Sequence, residues 1–170
     1  MLRNLAAAAL ILAALVLQVS LVNRLSPRLG PDLVLLVVLI LAARRGAVPG
    51  AVIGFCGGLA YDLMPPSAHA LGQYALVMCA LGWLAGRAGG QMTLPIVMFC
   101  AAIAPGLAAG IGALLGDPGV NWTVLKTAWP KAAVCNLLFA PLVLWVVNKL
   151  ERRRRGRRSE FVTGWRRGTA

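Results

Sequence analysis

Two carboxylates that share a proton can activate water for peptide hydrolysis. The acids of this chain that could attempt it are Asp62 and Asp117, each at the edge of a long uncharged stretch. The flanking residues that mark lipoprotein signal peptidases are missing around both, so polar helix ends at an interface stand as the competing reading. Cys56, Cys79, Cys100 and Cys135 lie in four different apolar stretches, without Cys-x-x-Cys spacing and without a histidine nearby in sequence. They read as small packing residues rather than metal ligands or disulfide halves. His69, after Pro65 and Pro66, has no second ligand beside it and reads as a loop residue. Asn121-Trp122-Thr123 matches a glycosylation triplet, a pattern too frequent by chance to carry weight. No nucleophile–His–acid set and no phosphate loop is visible, and neither catalysis nor a cofactor or metal is expected.

The spacing that stands out is of glycines. Gly46, Gly50, Gly54 and Gly58 recur at steps of four, and Asp62 takes the next step. On a helix they form one slowly winding stripe against which a second helix can approach at backbone distance. Two occupants fit, another helix of the same chain or the helix of a partner docked in a groove. Asp62 is read in parallel as a cap or a bond to a neighbouring helix end, with a ligand contact as the alternative. Weaker stripes are Gly82, Gly86 and Gly90, then Ala102, Gly106 and Gly110 in a stretch that also holds Pro95 and Pro105. Gln18 and Asn136 are the deepest strong hydrogen-bonding side chains, each expected to bond another helix for about 0.6–2 kcal/mol. A transport pathway would need more inward polar residues than these.

The elements that carry these residues follow from composition. The 170 residues are 59% hydrophobic and 13% charged, against roughly 45–50% and 25% in a soluble domain, which excludes a water-soluble globule. The 17 Lys and Arg against 5 acids give a net +12, a balance that in a soluble chain would point to nucleic acid. The placement of the charges points to a membrane instead. Six uncharged stretches predict six transmembrane helices, at about 5–22, 32–44, 46–62, 70–86, 92–116 and 132–148, making one domain over 1–148 followed by a basic tail, 149–170. The first lacks a small-x-small cleavage site between Gln18 and Asn23 and reads as a retained span. In the second, Leu33 to Ala43 would make only about 17 Å of helix against a hydrocarbon core of ~30 Å. Help is expected from Pro31 and Asp32 at its start, from Arg44 and Arg45 snorkelling at its end, and from local bilayer thinning.

With an even number of spans both termini share a side. Arg3, Arg44, Arg45, Arg87, Lys149, Arg152 to Arg155, Arg157, Arg158, Arg166 and Arg167 then fall together, leaving only Arg24, Arg28, Lys126 and Lys131 opposite. The richer side is cytoplasmic. Asp32, Asp62 and Asp117 all fall outside. Tyr61, Tyr74, Trp122 and Trp129 mark outer ends, and Trp83 and Trp145 inner ends. The outer loop from Asp117 to Lys131 could lay Trp122, Leu125 and Trp129 on the membrane surface or offer a partner patch. The tail cations Lys149, Arg152, Arg153, Arg154, Arg155, Arg157 and Arg158 are read as resting on anionic lipid of the inner leaflet.

The run Gly54-Phe55-Cys56-Gly57-Gly58-Leu59-Ala60-Tyr61-Asp62-Leu63, continuing through Pro65-Pro66 to Leu71-Gly72, resembles the signature of the rod-shape-determining membrane protein family MreD. So does Pro31-Asp32-Leu33-Val34-Leu35-Leu36, opening a short leucine-rich span. The resemblance implies an all-α, multi-pass protein of the bacterial cytoplasmic membrane, a compact bundle of six short kinked helices that works as a non-enzymatic part of the elongation machinery. Its implied partners are MreC and, through MreC, the lateral-wall synthase RodA, its transpeptidase and the actin-like MreB, which the basic tail could also contact. Self-association into a homodimer is left open. The implied fold is also similar to the substrate-binding subunits of energy-coupling-factor vitamin transporters, the second reading beside a scaffold; an intramembrane aspartyl hydrolase is the third.

Overall fold

The computed structural model describes residues 2–22, 30–64, 71–90, 92–116 and 122–167, and the regular structure among them is entirely helical. Helix α1 runs Leu2–Leu17 and is prolonged by a π-helical turn, Gln18–Val22; α2 is Leu33–Ala43, α3 Ala47–Asp62, α4 Gln73–Ala88, α5 Thr93–Leu114 and α6 Trp122–Arg167. These six overlie the six apolar stretches of the sequence. By length and composition, 93–114 and 128–151 suffice to cross a membrane, while 4–20, 33–43 and 47–62 are shorter apolar helices.

The short helix α2 is the centre of the molecule. Each residue from Val34 to Ala43 is buried, at 0–7% exposure, and α2 packs against all five other helices. A helix that is apolar on every side requires burial on every side, and LVLLVVLILAA has no polar face to turn outward. Protein contacts thus surround α2 along its whole length. Neighbouring helices cover the length of α2, and its flanking arginines bond to other helices rather than reaching past it.

The other elements differ from expectation at α6. The loop expected up to Lys131 is helical from Trp122 onward, and the tail expected as a separate segment continues the same helix to Arg167. Trp129, read as a membrane-surface residue, turns its indole Nε1–H to the Ala102 carbonyl of α5 at 2.9 Å. That contact adjoins Pro105 inside α5. A helical proline supplies no N–H to the carbonyl four residues earlier, here Ala101, and Asn136 Nδ2 of α6 donates to it at 3.3 Å. Two side chains of α6 thus hold the proline-interrupted turn of α5.

Candidate functional site

The polar side chains converge on the ends of the buried helix. At its start, Asp32 caps α2 by accepting the Leu35 N–H at Oδ1 (2.9 Å), while the Leu33 N–H donates to Gln18 Oε1 (2.9 Å). The Asp32 N–H donates to Asn136 Oδ1 (2.8 Å). Backbone donors at a helix start have no partner within the helix, and inside an apolar bundle water does not supply one. Side chains of the π-helical turn and of α6 do so here. At the other end, Arg44 Nη1 pairs with Glu151 Oε2 (2.6 Å) and Arg44 Nη2 donates to Asn148 Oδ1. Arg45 Nη1 donates to Asn4 Oδ1 of α1 (3.0 Å), and the Gly90 N–H closes on the Ala43 carbonyl (3.2 Å). The pairs Asp32–Asn136 and Arg44–Asn148 share one sequence offset, 104. Helices α2 and α6 therefore run parallel and in register, joined at both ends.

Asp62 does the same work for α4. Its side chain, at 1% exposure, accepts from the N–H groups of Gly72 (3.0 Å) and Ala75 (3.1 Å) at Oδ2 and of Tyr74 (3.3 Å) at Oδ1. Gly72 precedes the helix with φ +96°, a backbone that glycine adopts without strain. Both carboxylate oxygens are thus engaged by one helix start, and Asp62 serves as a cap. The Tyr61 and Tyr74 rings lie beside it, their centroids 5.0 Å apart. Gln73 also belongs to this end: its Nε2 donates to the Ala108 carbonyl at 2.7 Å. Sequence reasoning passed over Gln73, although a glutamine opening an apolar stretch was the available signal.

The glycine ladder is occupied from within the chain. A Cβ at Gly50 would stand 2.5 Å from the Gly82 carbonyl oxygen, one at Gly58 2.5 Å from that of Tyr74, and one at Gly54 would overlap the Met78 carbonyl. In return, Cβ atoms at Gly82 and Gly86 would collide with the carbonyls of Gly50 and Gly46. Of the two occupants that fit the stripe, the helix of the same chain is the one present: α4 fills that face in an α3–α4 hairpin packed at backbone distance. Gly46, whose own Cβ position is open and whose φ is +93°, serves the turn into α3, and only its carbonyl enters the contact, against Gly86.

The remaining candidates are dispersed. Cys100 is buried, Cys79 and Cys135 are half-buried, and Cys56 is exposed. Asp117, His69 and the Pro65-Pro66 turn lie outside the described residues, as do the side chains of Arg152, Arg153, Arg154, Arg155, Arg157 and Arg158. Lys149 is described: it is exposed and lies over the Trp145 ring.

What this arrangement can do is hold helices together, since Gln18, Arg44, Arg45, Asp62, Gln73 and Asn136 each bond a neighbouring helix and Asp32 caps its own. The family model described as rod shape-determining protein MreD matches residues 1–153. The chain belongs to the MreD family. MreD proteins are membrane proteins with a role in rod-shape determination, and the family is a structural one rather than a known enzyme family. No curated protein and no solved structure matches the chain.

Proposed function

We propose that this MreD protein crosses the bacterial cytoplasmic membrane six times, with both termini in the cytoplasm, and serves as a packing scaffold for MreC. Through MreC it supports lateral peptidoglycan synthesis by RodA and its transpeptidase partner, in line with MreB. The observation that carries this reading is the family match over residues 1–153. The structure supports the scaffold part in one respect: Gln18, Asp32, Asp62, Gln73 and Asn136, five of the buried or half-buried polar residues of the bundle, bond to backbone at helix starts or helix carbonyls. With α4 on the glycine ladder, MreC meets an outer apolar face of the bundle.

Depletion followed by microscopy, combined with affinity purification and mass spectrometry, tests the proposal. Rounded cells and recovery of MreC are expected. Rods of normal shape, with a vitamin-sized molecule and an energising membrane subunit in the purified fraction, would overturn it in favour of a transporter subunit.

A further inference from the structure

Four described cations stand at the level where α2 ends. Arg44 and Arg45 form the α2–α3 turn, and contacts bring α4 and α6 to it: Gly86 abuts Gly46, the Gly90 N–H bonds Ala43, and Arg44 reaches Asn148 and Glu151. Arg87 on α4 and Lys149 on α6 are therefore at the same height. Arg44 and Arg45 are tied to side chains of α6 and α1. Arg87 and Lys149 are exposed and have no carboxylate partner among the described residues.

Each of these two exposed cations is paired with a tryptophan in the same way. Arg87 Cζ lies 5.8 Å from the Trp83 ring centroid and Lys149 Nζ 4.6 Å from that of Trp145, and the rings are themselves 46% and 61% exposed. Both pairs have i, i+4 spacing, and α4 and α6 both run toward this end of the bundle. The ring is thus one turn deeper than its cation in each. An indole favours the depth where acyl chains meet headgroups, and a long cation placed one turn higher reaches phosphate. The stacked cation still has N–H donors to offer, and no carboxylate among the described residues neutralises it, so an anionic group of the surroundings completes the site.

We propose that Trp83–Arg87 and Trp145–Lys149 are two binding sites for the phosphate headgroup of an anionic phospholipid, with the indole against the upper part of the lipid and the cation on its phosphate. The proposal rests on the membrane reading above and is separate from any diffuse attraction by the tail, which would require neither tryptophan.

The test uses the full chain in mixed phosphatidylethanolamine and phosphatidylglycerol vesicles, with tryptophan quenching by acyl-brominated phosphatidylglycerol compared with brominated phosphatidylcholine. Variants keep Trp129 and either Trp83 or Trp145, with the other tryptophans changed to Phe, and the Trp129 signal is subtracted from a variant that keeps it alone. Each pair should show a preference for the anionic quencher of roughly fivefold, the scale of one cation's attraction to anionic lipid. Lys149→Gln should bring Trp145 to parity and leave Trp83 unchanged, and Arg87→Gln should do the reverse. Equal quenching by both lipids in the unsubstituted pairs would overturn the sites. So would a preference that survives both substitutions and vanishes only when the residues after Glu151 are removed. A chain that fails to enter vesicles at all would instead overturn the membrane reading itself.

Discussion

Asp62 shows how a residue that looks chemical becomes structural. A carboxylate at 1% exposure that receives three backbone N–H groups is stabilised by those donors and stabilises them in turn, since a buried donor left unmade costs about 1–3 kcal/mol. Asp62→Ala should therefore lower stability by roughly 2–3 kcal/mol, seen as a lower melting temperature in detergent. Asp62→Asn, which keeps one acceptor oxygen, should lose less. A hydrolase would show the opposite pattern, with activity abolished by the Asn variant and folding intact. Asn136 acts on two helices at once, through the Asp32 N–H and the Ala101 carbonyl, so Asn136→Ala exposes two unmet groups and should cost about 2 kcal/mol or more. Asn136→Leu should be no better, which purified-protein thermal unfolding would check. The sequence marked Gln18 and Asn136 as residues needing partners; it could not say that both partners are backbone groups at the start of α2, because that pairing exists only once α1, α2 and α6 are adjacent.

At the scale of elements, the α3–α4 hairpin and α2 carry the fold. Gly54 and Gly110 separate two meanings of glycine. A Cβ at Gly54 overlaps the Met78 carbonyl, while one at Gly110 meets nothing within 4 Å. Backbone cannot move aside as a side-chain tip can, so Gly54→Ala should destabilise by about 1–3 kcal/mol and Gly54→Leu should prevent stable accumulation. Gly110→Ala should be neutral or slightly stabilising, as expected for removing a helical glycine. Protein level and melting temperature of the three variants check this, and equal effects at both glycines would contradict the packing. In α2, Leu36 at 0% exposure is enclosed by protein, so Leu36→Ala should cost about 2–5 kcal/mol, measured by thermal unfolding. Exposed Leu138 on α6 should tolerate the same change. The glycine periodicity was legible in the sequence as a close-approach face, but glycine has no side chain with which to specify its partner.

For the whole molecule, α6 joined to α2 at both ends and the α3–α4 hairpin joined through glycine make one cooperative bundle. The Arg44–Glu151 pair is partly exposed, at 24% and 40%, and ion pairs of that kind contribute about 0–1 kcal/mol. Glu151→Gln should therefore change stability little, and less at high salt than at low salt, in unfolding curves at two ionic strengths. The charge asymmetry bears on orientation instead: fusions after residues 45 and 88 should report a cytoplasmic location and fusions in 65–70 an external one, and a reversed pattern would invert the proposed topology. The sequence by itself determined that the chain is helical, that it divides into six apolar stretches, and that its positive charge gathers at one end, because length, periodicity and charge are local properties. Its family was legible in the same way, in the run from Gly54 to Leu63. Only the tertiary structure decided that α2 is central, that α4 fills the ladder and that Asp62 is a cap. In a chain this apolar, residues facing lipid and residues facing core are written in the same alphabet, so which face is inside is settled by the helices that come to lie against it.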